Sequence, residues 1–406
     1  MERQERTRPV RRLNPFARAS LLVAGGALIC AIAGATSAPA DAVAGKLAYG
    51  VRGAHGRGWI VAVDVGGVKV RRLVPTARHG WSDFAWSPDG SRLTAMRIGR
   101  GGAWDAIAVA IDGGGARFVA KAARGTEIRE VSWAPDSRTL AFVRNKTSVV
   151  CGGDSLWVVR SDGKGVRRLV RTTAPGAFLS IGDWSPDGKQ LLYRTTAFPG
   201  GDCREINASG STLFTIAAKG SRPKRVVKTR DNIWDEAWSP DGSRIAYITC
   251  DLEFLLPCQP WLVDITGKDR RRISEPVNMI ASVGINWTPD SRELVIPYLC
   301  GPQKCEETGD CDAKSDAKTN SGGLRAIDPQ TGRTRSIVSR SGCVSAAVLA
   351  ISRTAGTIGF VWGSVGGSST SRPMLVAMDG SGLQRLPPPP KVAGGRVDPS
   401  PALYLP

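Results

Sequence analysis

Histidine is almost missing from this chain. Only His55 and His79 occur among 406 residues, so a site needing several imidazoles, such as a three-histidine zinc centre, has no ligands to draw on. Uninterrupted segments are scarce too: 48 glycines and 26 prolines are spread along the whole length, which leaves little room for long helices and excludes a helical bundle. No Gly-x-Ser-x-Gly elbow is present, so the nucleophile of an α/β-hydrolase is lacking. What remains is ordinary globular composition, 42% hydrophobic and 22% charged, and that rules out a mainly disordered protein.

The only long uncharged apolar run lies near the start. Residues 1–18 are rich in arginine, residues 19–35 are apolar, and Ala38 and Ala40 form an Ala-x-Ala end. This is the pattern of a secretory leader, and a signal peptide over residues 1–40 is expected, an uncleaved anchor being the alternative. Either places the remainder outside the cytoplasm, secreted or periplasmic. The formal net charge of +19 falls only to +15 beyond position 40. For an exported chain, nucleic acid is not the expected counter-charge; an anionic cell-wall polymer is the alternative.

Nine cysteines are present, and Cys30 belongs to the leader. The other eight are Cys151, Cys203, Cys250, Cys258, Cys300, Cys305, Cys311 and Cys343, an even count that suits disulfides in an oxidising compartment. Cys250 and Cys258 flank a single connection and form the best candidate pair, while Cys151 with Cys203 is a second candidate. Zinc held by Cys300, Cys305, Cys311 and Cys343 is the competing reading, but no Cys-x-x-Cys spacing occurs.

A repeat organises the chain. The motif Trp, Ser/Ala/Thr, Pro, Asp, Gly/Ser begins at Trp86, Trp133, Trp184, Trp238 and Trp287, and seven residues past each tryptophan stands an aliphatic: Leu93, Leu140, Leu191, Ile245 and Leu294. The same offset links Ile351 to Ile358, so residues 351–356 read as a sixth copy that has lost its motif. Pro presets φ, Asp bonds the backbone ahead of it and Gly accepts positive φ, which together make a tight hairpin between two strands. Each tryptophan is expected to be an apolar wedge between neighbouring sheets.

A second set of turns, rich in Asp and Gly, gives an independent count of seven: 64–67, 112–115, 162–165, 218–221, 264–267, 328–332 and 379–382. Basic strands follow most of them, as at Arg71, Arg72, Arg167, Arg168, Arg271 and Arg272. Each unit therefore holds four short strands. The first unit lacks its innermost strand, because residues 46–51 already match the strand after the tryptophan motif. Residues 397–405 fit the vacant place, so the two ends of the chain are expected to close a ring and protect its edges.

These WSPDG copies resemble the TolB-like, WD-repeat-like β-propeller family over residues 46–406. The resemblance implies an all-β fold, a single β-propeller of four-stranded antiparallel blades spanning 41–406, with seven blades as the count and six as the alternative. The separate N-terminal domain of TolB proteins has no counterpart between the leader and Lys46.

Up-and-down connectivity puts the motif turns on one face and the cysteines on the other, together with a Cys-rich insertion at 300–323. The carboxylates of that insertion hint at calcium, yet Lys314 occupies a ligand position, so no cofactor is expected there; calcium or another cation in the channel is the alternative. Near the start of the innermost strands stand Asp83, Glu130, Asp235 and Glu236, with Trp81 and Trp234 alongside. This is a candidate channel-mouth site for a cation or basic peptide, the other reading being that the acids bond backbone amides of the next blade. The expected function is an exported, non-catalytic, monomeric scaffold for a protein or peptide of the cell envelope. The alternatives are a TolB-like component of an envelope complex and a propeller enzyme acting on glycans.

Overall fold

The computed structural model describes residues 45–53, 58–66, 70–74, 81–98, 103–112, 114–146, 152–172, 176–198, 210–250, 257–278, 284–298, 321–341, 344–364, 373–387, 391, 395–397 and 402–406. The leader at 1–40, both histidines, and Cys151, Cys203, Cys300, Cys305, Cys311 and Cys343 lie outside them.

Seven antiparallel sheets, each built on four strands, follow one another along the chain. Numbered as blades one to seven, their innermost members in blades two to seven are Trp81–Trp86, Thr126–Trp133, Ala177–Trp184, Asn232–Trp238, Asn286–Trp287 and Val344–Ile351. Each blade then steps outward strand by strand, as in Ala177–Trp184, Gln190–Ala197, Ser211–Ala217 and Lys224–Thr229 of blade four. Inner strands of successive blades touch in order from blade two to blade six, the second and third strands of blade six meet the inner strand of blade seven, and the ring ends where blade seven meets the terminal segment and that segment meets blade two. The protein is a seven-bladed β-propeller, and among the described residues it contains no helix.

Closure uses both ends of the chain. Lys46–Gly53 pairs with Gly395–Val397 at one end and with Ala402–Tyr404 at the other. The expected closing strand is thus two short strands, with Leu47 opposite Leu403. The insertion at 300–323 ends earlier than expected, because Ser321–Ile327 is already the third strand of blade six.

Interblade packing supplies the core. Buried hydrophobic side chains from facing sheets form clusters such as Met96, Ile128, Leu140 and Phe142 between blades two and three. The motif tryptophans wedge into these seams: Trp133, Trp184, Trp238 and Trp287 are between 3% and 7% exposed, whereas Trp86 is half-buried. Each motif tryptophan pairs with the aliphatic seven residues on, as in Trp133 with Leu140 and Trp287 with Leu294. Ile351 pairs with Ile358 in the same register, which identifies residues 351–356 as the degraded copy.

The motif turn closes through its own side chains. Ser87 Oγ donates to Asp89 Oδ1 at 2.6 Å and receives the Arg92 amide at 2.9 Å. Gly90, Gly188 and Gly242 take positive φ at the fifth position, a conformation that costs glycine little. Where serine stands there instead, Ser137 and Ser291 take positive φ as well, and their hydroxyls accept the Asp89 and Asp241 amides of the preceding blade's turn, both at 3.0 Å.

Candidate functional site

The inner strands carry a regular stitch from blade to blade. Trp133 Nε1 donates to Ala85 O, Trp184 Nε1 to Ser132 O, and Trp287 Nε1 to Ala237 O, at 3.2, 3.4 and 3.2 Å. In each case the acceptor is the residue just before the preceding blade's tryptophan. Trp86 does the same to Ala402 O at 3.1 Å, which aligns Leu403 with the tryptophan position of blade one. Trp238 departs from the pattern and bonds Gly242 O in its own turn.

A second stitch uses carboxylates. Glu130 Oε2 accepts the Ile181 amide and Asp235 Oδ2 the Ile285 amide, each 2.6 Å away in the next blade. Asp183 accepts its neighbour Trp184 N–H at 2.7 Å and, more weakly, Trp238 N–H of blade five at 3.4 Å. Between blades four and five, Glu236 and Arg194 form an ion pair at 2.6 Å in which the carboxylate side chain is fully buried and the guanidinium 19% exposed. Gly182 makes room for this pair, since a Cβ there would fall 2.7 Å from Glu236 Oε1.

The acids therefore do not gather at an open channel mouth. Glu130, Asp235 and Glu236 are turned into the interblade wall, where burial outweighs the hydrogen bonds and the Arg194 charge and raises all three carboxyl groups, Glu236 to about 7. Asp183 borders the lumen, exposed to water yet ringed by protein, and that enclosure lifts it to about 6. Trp81 is 8% exposed, packed between blades one and two with its Nε1 on Gly58 O at 3.1 Å, and it belongs to the lining of a cavity at the closing seam. Trp234 is 37% exposed. Asp83 is exposed at a strand irregularity of blade two, with φ at 51°. Among the described residues no group of three or more His, Cys, Asp or Glu side chains is placed to hold a metal ion.

Several arginines of the outermost strands pack on aromatic rings. Arg72 lies over the Trp59 ring at 4.8 Å, Arg168 over Trp157 at 5.7 Å and Arg272 over Trp261 at 5.5 Å. An outermost-strand cation thus covers an indole of the adjacent strand in three blades, a cation–π contact that gives these residues a packing role. Arg71, Arg167 and Arg225 are exposed and Arg271 is partly covered. At the edge of blade five, Cys250 and Cys258 are joined by a disulfide, their Cα atoms 4.3 Å apart.

A cavity of about 690 Å³ opens at the closing seam, where the inner strands of blades seven and two flank the terminal segment. Its apolar wall includes Phe84, Trp86, Leu349, Ile351, Leu403 and Tyr404, and among the described residues its charged groups are Asp83 and Arg353. Trp86 and Tyr404 contact one another with ring centroids 6.0 Å apart, and Ser352 and Thr354 hydroxyls both donate to Pro406 O. The location follows from the repeat. Ile351 and Leu403 hold the tryptophan positions of blades seven and one, so two neighbouring seams have an aliphatic where others have an indole. Arg353 occupies the proline position of the degraded turn, and its charge reaches Asp183 and Tyr404. Reading the sequence missed Arg353, Tyr404 and Leu403; the signal was the loss of Trp and Pro in residues 351–356.

No protein-family model matches the chain. Dipeptidyl-peptidase 5 of Porphyromonas gingivalis is 38% identical over 65 residues, a stretch covering 16% of this chain and 9% of that peptidase. Among solved structures, an oligogalacturonate lyase in complex with manganese is similar with a TM-score of 0.56 at 15% identity, covering 84% of both chains. The β-propeller domain of the Trilobed protease from Pyrococcus furiosus gives 0.55 at 12% identity, covering 84% of this chain and 94% of that one. TolB from Acinetobacter baumannii gives 0.43 at 16% identity, covering 72% of this chain and 65% of that one. At these identities the likeness is one of fold, and the fold is the β-propeller that the WSPDG repeats imply.

Proposed function

We propose that the chain is an exported, non-catalytic β-propeller that holds a protein or peptide of the cell envelope at the seam cavity of its central channel. The cavity carries this reading. Its volume of about 690 Å³ lies in the range of ligand sites, and its wall is mostly apolar and aromatic with a few polar groups to fix orientation. Among the described residues the charged lining is the Asp83 carboxylate and the Arg353 guanidinium, set in an apolar and aromatic wall, an arrangement suited to recognising a side chain and fixing its orientation. The leader pattern at 1–40 and the Cys250–Cys258 disulfide support an extracytoplasmic setting.

The test is comparative capture. The full chain, produced in an oxidising compartment, is used to recover partners from the native envelope fraction, beside Leu349→Trp, which fills the cavity from an inner strand. The reading requires an envelope protein that is enriched by the parent and reduced at least tenfold by the variant. Equal recovery by both, or no enriched protein, overturns it.

A further inference from the structure

The repeat states what the seam cavity is shaped to receive. Around the ring, an indole enters each of four seams from the following blade and gives its N–H to the carbonyl just before the preceding blade's tryptophan position. At the seam between blades seven and one, the corresponding carbonyl belongs to Ala350, which lines the cavity. The residue aligned to supply the indole is Leu403. An aliphatic side chain donates no hydrogen bond and is smaller than an indole, so the Ala350 carbonyl lacks the indole donor that its counterparts have, the cluster that includes Leu403 packing against Ala350 instead. The cavity lies beside them, and Trp86 and Tyr404 offer ring surfaces in its wall.

We propose that the partner held in this cavity inserts a tryptophan side chain, whose indole N–H donates to the Ala350 carbonyl and restores the wedge that the chain lacks at its closing seam. The proposal rests on the cavity being a peptide- or protein-binding site and adds the chemistry of its anchor. An aromatic anchor seated in a desolvated pocket is the usual centre of such an interface, and an N–H donor distinguishes indole from phenyl at a carbonyl acceptor. The site lies on inner strands and the terminal segment, away from the outer arginine–indole contacts.

The experiment titrates the full chain with N-acetyl-tryptophanamide, N-acetyl-phenylalaninamide and the N1-methyl derivative of the first, followed by saturation-transfer NMR. The tryptophan probe is expected to bind about tenfold more tightly than either of the others, the difference that one hydrogen bond of about 1.4 kcal/mol makes. Leu349→Trp is expected to abolish binding of all three. Equal affinity for the three probes, no saturation transfer from the tryptophan probe at about 10 mM, or unchanged binding by the filled variant overturns the proposal. If envelope capture succeeds while the three probes bind equally, the binding-site reading stands and the indole anchor falls. If capture fails while the tryptophan probe binds selectively, the envelope-partner reading falls, and the proposal of a partner's anchor falls with it, leaving only an indole-selective cavity.

Discussion

Glu236 in the inner strand of blade five meets Arg194 of blade four at 2.6 Å, and the carboxylate side chain of this pair is fully buried. One guanidinium there faces several acids, because Arg194 also feels the charges of Glu130 and Asp235. The wall of the channel on this side is held by charge, while most of the other seams rely on indole wedges. Trp238, the one motif tryptophan whose indole N–H does not bond the preceding blade, belongs to this same seam.

Removing the cation is the severe change at this seam. Arg194→Met leaves Glu236, Asp235 and Glu130 without their common counter-charge, and a loss of about 3–5 kcal/mol is expected at neutral pH. Urea unfolding of the two proteins at pH 7.5 measures it. The deficit is expected to shrink at pH 5, where the orphaned carboxyl groups protonate; a deficit independent of pH would count against the charge argument.

Stability should fall as pH rises through the same window. Burial raises the Glu236 carboxyl from an ordinary 4.5 to about 7, so between those values the folded chain holds a proton that the unfolded chain has released. The contribution is full below about 4.5 and is lost as pH climbs to 7, a decline on the order of 1–3 kcal/mol. The turn residue Asp187 acts oppositely: the Ser185 hydroxyl and Lys189 amide hold it at about 2, so its contribution fades only in strong acid. A melting temperature higher at pH 5.5 than at 7.5 is predicted, and Glu236→Gln should flatten the difference.

Ring closure depends on a short segment. Leu403, 5% exposed, packs with Leu47, Val61 and Leu375 where blades one and seven meet. Leu403→Ala is expected to cost about 2–5 kcal/mol and to speed hydrogen exchange at the amides of Lys46–Gly53 more than at those of Ala177–Trp184. Uniform acceleration across both strands would mean that the seam does not open on its own.

The repeat made the architecture legible because each motif residue has a local task. Pro88 and Asp89 shape a turn within five residues, and Trp86 announces the end of an inner strand. The acids were half legible. Glu130 and Asp235 stand three residues before a tryptophan, but whether such a side chain faces water or the next blade depends on Ile181 and Ile285, about fifty positions away. The cavity was legible only in part, through Asp83 and Trp81, two of the channel-mouth candidates, which belong to its lining. It forms because Ile351 and Leu403 both lack an indole and because Trp86 reaches Ala402, 316 residues distant, relationships that exist only once the ring has closed.

The most direct test places a photoreactive benzoylphenylalanine at position 353, an exposed residue of the cavity lining, and at position 265, on an exposed outer turn, and maps the products formed with the captured envelope partner. Cross-links from position 353 to one defined segment of the partner, with none from 265, are predicted. Cross-links from 265 alone, or none from 353 while the partner is still recovered, would contradict a ligand seated at the closing seam.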